Sequence, residues 1–505
     1  MDKITEFIET WSKKKIAKGK SFDDLLQIDG VPLWWFYKWF FRSYVLPIQI
    51  STYSYLEKGS VPGPWAACRY ALNSELMRAY LRFNEHTKIR SAQRVGKASP
   101  RRKVMFLTFP HHLLPNKKVF RIQGIIDKIR SDGKFDDLIL YAQPLTKQWD
   151  TKIASLPTIY AYCTDEIIAK AARQAEDLHI RWMGIKNKKD LLSVKGESVW
   201  PYVRYAFNFF FSKEFLSVLI IYYETIKKII KEENISAIVL SSAHDLYEKC
   251  ALAAAKNAKI PILLIQHGLM ATDKPDFIGK SRYAVFSELT KKNLVRIGVA
   301  KETMVVTGPV VFDGIEKYIS QSRRAGRKIV IATAPCIEDM VLSKESYFKI
   351  VQKILADLRG IPRIEIVLKL HPREKYKAVY ESLIQSLGMK AKVVQVLSRE
   401  EFFQLVGECD AFINLDYSTS AIEAMILGVP TITIEVRPVS GVFHQILKKH
   451  TITRKYTNDI SKLVQDVLSG KIDYSRKSAA AVRTLCYKVD GKASERIVNA
   501  LYKVI

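Results

Sequence analysis

Three short stretches of this chain combine residue types that handle phosphate and protons. The first is Asp416-Tyr417-Ser418-Thr419-Ser420, a hydroxyl-rich turn between an apolar run and an apolar-periodic helix. Hydroxyls and unpaired N–H groups at a helix N-terminus suit an anion, because the helix dipole and the orphan donors act together. Glu423 lies about one turn further on, where its carboxylate could accept hydrogen bonds from ribose hydroxyls. The same residues also read as an ordinary capped helix. The second stretch is Lys369-Leu370-His371-Pro372-Arg373, a histidine flanked by cations at the end of an apolar run. The third is Gln266-His267-Gly268, again closing an apolar run. A neutral imidazole there can serve as a general base, and Gly268 permits a close backbone approach.

The elements that must position these residues alternate in type. Apolar and β-branched runs predict strands at 103–109, 235–241, 260–265 and 283–287 in the first half. A second set is predicted at 328–332, 363–370, 392–396, 411–415 and 431–434, with helical patterns between. Alternating strands and helices imply parallel sheets with right-handed crossovers. Such sheets bind ligands beyond the carboxyl ends of their strands, which is where all three stretches fall. His111 and His112 follow the 103–109 strand and are further cleft candidates.

Together, Gln266-His267-Gly268, His371-Pro372 and Asp416-Tyr417-Ser418-Thr419-Ser420 resemble glycosyltransferases of the GT-B fold. The likeness is to capsule and teichoic-acid types: CDP-glycerol glycerophosphotransferases, capsule Kdo transferases, and sialyltransferases with a His-Pro motif. It covers roughly 234–434. The resemblance implies an α/β chain with two Rossmann-like parallel-sheet domains facing a cleft. It also implies a helical N-terminal extension and a C-terminal crossover helix. The expected divisions are 1–100 (extension), 101–314 (acceptor domain), 315–473 (donor domain) and 474–505 (C-terminal helices packing back on the first domain).

Carried over residue by residue, His371, Ser418, Thr419 and Ser420 would bind the donor phosphates, with Lys369 and Arg373 beside them. Glu423 would take the ribose. His267 matches the histidine of a Trp-His-Gly motif, proposed in the glycerophosphotransferases as the acceptor-activating base; Gln266 here replaces the tryptophan. Thr307-Gly308-Pro309 resembles the hinge after the first domain, placing Gly308 near the cleft together with Gln266, Gly268 and Asp416. The implied activity is metal-independent, inverting transfer of a sugar from a CMP- or UDP-activated donor to a cell-surface or lipid-linked glycan. The same architecture also serves glycerophosphate transfer and the non-hydrolysing 2-epimerases of UDP-N-acetylglucosamine. A non-catalytic nucleotide- or nucleic-acid-binding protein is the remaining alternative. No metal and no organic cofactor are expected, the nucleotide sugar being the substrate.

The global numbers fit such a protein. A chain of 505 residues suits two to four domains. Its six scattered cysteines lack metal-binding spacing and read as thiols in a reducing compartment. The first twenty residues are charged and lack an apolar signal region, so a cytoplasmic protein is expected. The net charge of +29 implies attraction to anions: phosphorylated substrates, an acidic membrane surface or nucleic acid. Recognisable nucleic-acid modules are absent from the sequence. The aromatic, basic segment 31–42 fits a membrane interface, giving a peripheral protein, as well as it fits a helical core. The basic stretch 88–103 is a second candidate lipid contact.

Overall fold

Runs of β-branched and apolar residues become two buried six-stranded parallel sheets, with amphipathic helices supplying the crossovers. The computed structural model describes residues 8–17, 19–41, 100–108, 118–119, 121–141, 158–194, 197–198, 200–243, 246–268, 279–319, 327–338, 342–395, 398–437, 442–472 and 474–505. The first sheet contains β1 (Lys103–Thr108), β2 (Asp136–Tyr141), β3 (Ile235–Leu240), β4 (Ile262–Ile265), β5 (Ser281–Val285) and β6 (Met304–Val306). Its spatial order is β6-β5-β4-β3-β1-β2. The second contains β7 (Lys328–Ala332), β8 (Glu365–Lys369), β9 (Ala391–Val394), β10 (Ala411–Leu415), β11 (Thr431–Glu435) and β12 (Ile452–Lys455). Its order is β9-β8-β7-β10-β11-β12, with every neighbouring pair parallel. This is the doubly wound Rossmann arrangement, whose halves diverge between β7 and β10.

The helices start where the sequence places caps. Thr164, Ser212 and Ser343 cap Asp165–Gly184, Lys213–Glu232 and Lys344–Arg359 respectively. Ser398 and Glu401 form a reciprocal capping box at Arg399–Gly407. The chain divides into two compact units. One comprises Met1–Ile265, Pro275–Tyr283 and Val498–Ile505; the other comprises Gln266–Lys274 and Ala284–Ile497.

The described part of the N-terminal extension departs from the expectation of a helical segment. It holds two small antiparallel pairings, Lys15–Ala17 with Lys20–Ser21 and Gln27–Ile28 with Val31–Pro32, before the helix Leu33–Phe40. Trp11, Phe22, Trp34, Tyr37 and Phe41 are buried. Trp34 stacks on Phe207 at 5.5 Å and Tyr37 on Phe210 at 5.1 Å, while Trp11 meets Phe22 at 4.6 Å. Such offset and tilted pairs add to area burial. These rings therefore form core; they do not lie open to a lipid surface. Arg42 of the first candidate membrane contact and residues 88–99 of the second lie outside the described residues. Among the described residues no helix is long and apolar enough to cross a membrane.

At the other end, Asp313 accepts backbone N–H bonds from Ala493 and Ser494, at 3.0 and 2.7 Å, and so caps the C-terminal helix Ala493–Tyr502. The last residues belong to the first unit, where Tyr502 packs on Phe135 at 5.7 Å and donates to Asp132 at 3.2 Å.

Candidate functional site

The second unit brings two of the three stretches to one edge of its sheet. Ala332 is in register with Lys369 on one side and with Asn414 on the other. The segments following β8, β7 and β10 therefore emerge side by side at the carboxyl edge, at the point where the strand order diverges. With strands about 4.8 Å apart, the His371 and Asp416 turns flank Thr333 across about 10 Å.

The turn after β10 is built from its own polar side chains. Asp416 takes a left-handed backbone, with φ 65°, and its N–H returns to Ile434. Asn414 donates to the Asp416 carbonyl and accepts from Ser420 Oγ at 2.9 Å. Ser418 is the N-cap of the helix Thr419–Ile426, its Oγ accepting from Ser420 N at 3.4 Å. The three hydroxyls thus differ in setting. Ser420 is buried and tied to Asn414, Ser418 is half-buried at the cap, and Thr419 is exposed. Asp416 Oδ2 accepts from Arg437 Nε at 2.7 Å, while its buried Oδ1 has no partner among the described residues. Tyr417 donates to Glu435 at 2.6 Å, and that carboxylate, with burial and the Tyr417 bond, also meets Lys448. Burial and this bond push the Tyr417 phenol up.

His371 is held by a network that the sequence reading did not identify. Its N–H donates to Thr333 Oγ1 at 3.0 Å and to Glu374 Oε2 at 2.7 Å. Glu374 is buried and also accepts from the Thr333 hydroxyl and from Tyr380 Oη at 2.5 Å. Burial pushes the Glu374 carboxyl up, against the pull of these donors. The Arg373 N–H donates to His371 Nδ1 at 3.2 Å. Nδ1 is then the acceptor of the neutral ring, which places the ring proton on Nε2. The Arg373 side chain stands exposed beside it. Lys369 is desolvated over the Phe402 ring, 5.0 Å from its centroid, and burial lowers its ammonium pKa despite Glu423 and Glu374 nearby.

Glu423 is buried and forms an ion pair with Arg399. The guanidinium sits over Phe312 and Phe403, at 5.2 and 5.1 Å. A ribose at Glu423 would share a carboxylate already engaged by Arg399.

The third stretch has another construction. Gln266 is buried, donates to the Gly268 carbonyl at 2.6 Å and accepts from Phe286 N at 2.8 Å. It pins the turn and leaves His267 exposed on it. Gly308 is enclosed: it has φ 80°, and a Cβ there would lie 2.8 Å from the Lys488 carbonyl oxygen. It serves the packing of the C-terminal segment. His111 and His112 lie outside the described residues. Among the described residues, no group of histidine, cysteine, aspartate and glutamate is placed to hold a metal ion.

Chemically, the arrangement in the second unit is one that could take an anion. It combines a helix N-terminus with hydroxyl caps, an oriented imidazole and a desolvated lysine around one switch point. Thr333, Glu374 and Arg399 were missed. The only sequence signals for them are their places at a strand end, three residues past His371 and at a helix start.

Comparison with known proteins supplies context. A family model described as UDP-N-acetylglucosamine 2-epimerase matches residues 222–502. No curated protein matches the chain. Among solved structures, a Neisseria meningitidis UDP-GlcNAc 2-epimerase bound to UDP-GlcNAc is 15% identical with a TM-score of 0.47, over 79% of this chain and 100% of that one. A Methanocaldococcus jannaschii UDP-GlcNAc 2-epimerase gives 15%, 0.44, 79% and 99%. A Rickettsia africae glycosyltransferase gives 11%, 0.46, 80% and 99%.

Proposed function

Since the chain belongs to the UDP-N-acetylglucosamine 2-epimerase family, we propose that it binds a UDP-sugar and inverts a carbon of that sugar. The observation that carries the reading is the single switch point of the second sheet, where the Asp416–Ser420 turn and His371 flank Thr333. In the proposal, the cap of Thr419–Ile426, His371 Nε2–H and Lys369 engage the diphosphate. Fixed donors of this kind stabilise charge without reorganising during the reaction. Glu423, held by Arg399, accepts from the ribose. The family match supports epimerisation over the transfer reading drawn from the short motifs alone. The proposal includes no metal and no organic cofactor.

A second reading, sugar transfer to an acceptor hydroxyl, is supported by His267, exposed on a turn pinned by Gln266. One experiment separates the two. Purified protein is incubated with UDP-N-acetylglucosamine and followed by proton NMR. The expected result is its 2-epimer at equilibrium without net release of UDP. His371→Ala and Ser418→Ala should each slow this by about two orders of magnitude, as for loss of one preorganised donor. UDP release that requires an added glycan acceptor, with no epimer, would favour transfer. Wild-type turnover in both variants would exclude the proposed phosphate site.

A further inference from the structure

The second unit contains a cavity of about 750 Å³ that none of the residues assigned above to the nucleotide sugar lines. It lies at the carboxyl ends of β11 and β12, next to the Asp416–Ser420 turn, whose Asp416 and Tyr417 bond to the lining residues Arg437 and Glu435. One wall is a stripe of the helix Lys344–Arg359, namely Ser346, Lys349, Ile350 and Lys353. The other is formed where β11 and β12 end, at Glu435-Val436-Arg437 and Lys455-Tyr456-Thr457. The volume falls within the range of small-molecule sites.

The lining has a consistent character. Four cations, Lys349, Lys353, Arg437 and Lys455, face one carboxylate, Glu435. Glu435 is already engaged: burial opposes its ionisation, but hydrogen bonds from Tyr417 and Lys448 keep its pKa below the usual value. The cations are loosely held. Lys455 is exposed, and its charge helps to hold the Glu435 pKa down. Among the described residues Lys349 meets Glu345 in an exposed i,i+4 pair, and Lys353 meets Asp357 in a half-exposed one and reaches the Asn458 carbonyl at 3.5 Å. Pairs of this type contribute little and readily yield to another anion. Arg437 is the exception, being fixed to buried Asp416. Ile350, Val436 and Tyr456 add apolar surface on which a ring can lie.

From this we infer that the cavity between the helix Lys344–Arg359 and the ends of β11 and β12 is a second binding site for a small phosphorylated molecule, read by Lys349 and Lys455. A phosphate between these two lysines would replace weak surface interactions with charge-assisted bonds. The apolar wall would take the attached base or sugar.

The test uses the full chain, with UDP, glucose 1-phosphate and inorganic phosphate as probes, followed by ³¹P NMR titration and calorimetry. The expected result with UDP is two classes of site. Reversing both charges, Lys349→Glu with Lys455→Glu, should weaken one class by about tenfold or more and leave the other intact. His371→Ala should do the opposite. Both lysines are at the surface, so the variant's melting temperature should match that of the parent. Binding of all three probes to the lysine-dependent class means that phosphate alone is read; binding of UDP only, or of glucose 1-phosphate only, names the attached group. A single class lost in His371→Ala, or binding indifferent to the charge reversal, would overturn the inference. Because the two variants act on different classes, failure here leaves the epimerase test unaffected, and the reverse also holds.

Discussion

Replacing Glu374 tests whether the His371 turn is held from behind. Its carboxylate accepts three donors: the Thr333 hydroxyl, Tyr380 Oη and the His371 N–H. Glu374→Ala removes the two oxygens that serve all three donors and leaves a small cavity. Two donors keep weaker fallbacks. The Thr333 hydroxyl lies 3.4 Å from the Lys369 carbonyl, and the His371 N–H remains 3.0 Å from Thr333 Oγ1. With a net value of about 1 kcal/mol per hydrogen bond and a void term, the loss should be about 2–4 kcal/mol. Glu374→Gln keeps one oxygen for Thr333 and His371 and presents an amide to the Tyr380 hydroxyl, so it should cost about 1 kcal/mol. The pH dependence has a definite sign. Burial raises the folded-state pKa of Glu374 above its ordinary 4.5. Its contribution is thus fully present below 4.5 and is lost as pH rises through the raised value. Glu374→Gln should remove that increment and flatten stability across this window. The assays are urea unfolding between pH 4 and 8 and hydrogen exchange of the segment 365–375, where the His371 amide should exchange faster in the alanine variant. Equal losses for alanine and glutamine, or an unchanged His371 amide, would refute the argument.

Two further perturbations test the frame around the site. Gly308→Ala would force a side chain into a left-handed conformation 2.8 Å from the Lys488 carbonyl, and should cost about 2 kcal/mol or more in urea unfolding. Glu233→Gln would strip the buried Lys103 of its charge partner and should cost about 3–5 kcal/mol, whereas Glu345→Gln, which breaks an exposed pair with Lys349, should leave the unfolding midpoint unchanged.

What could be read from the sequence was contiguous. Strands β7 and β10 fall at the expected 328–332 and 411–415, because an apolar run bounded by polar residues records both its burial and its limits. The strand-turn-helix at Asp416–Ser420 was legible for the same reason: its donors, cap and helix are adjacent in the chain. Strands β2, β6 and β12 were not identified. Asp136–Tyr141 opens with two aspartates, Met304–Val306 has only three residues, and Ile452–Lys455 ends in exposed Arg454 and Lys455, so none presents a long apolar run. The aromatic segment around Trp34 left interface and core open, because composition records hydrophobicity and not what covers it. Phe207, Phe210 and Phe211, more than a hundred positions away, supply the cover.

The same distinction governs the site. Glu423 read as a ribose acceptor because it stands one turn into a helix that begins at a hydroxyl cap. Its actual partner, Arg399, starts a different helix, and Phe312 and Phe403 hold that guanidinium. Nothing local to Glu423 announces this pairing. It still bears on function. A carboxylate has about four lone-pair positions, so an arginine on one side leaves capacity for a hydroxyl on another. The aromatic faces also fix the orientation of the pair before any ligand arrives. Binding then orders little that is not already ordered, which lowers the entropic cost of recognition. The ion pair therefore converts a mobile acceptor into a positioned one, and Arg399→Ala should weaken nucleotide binding even though the guanidinium need not touch the nucleotide.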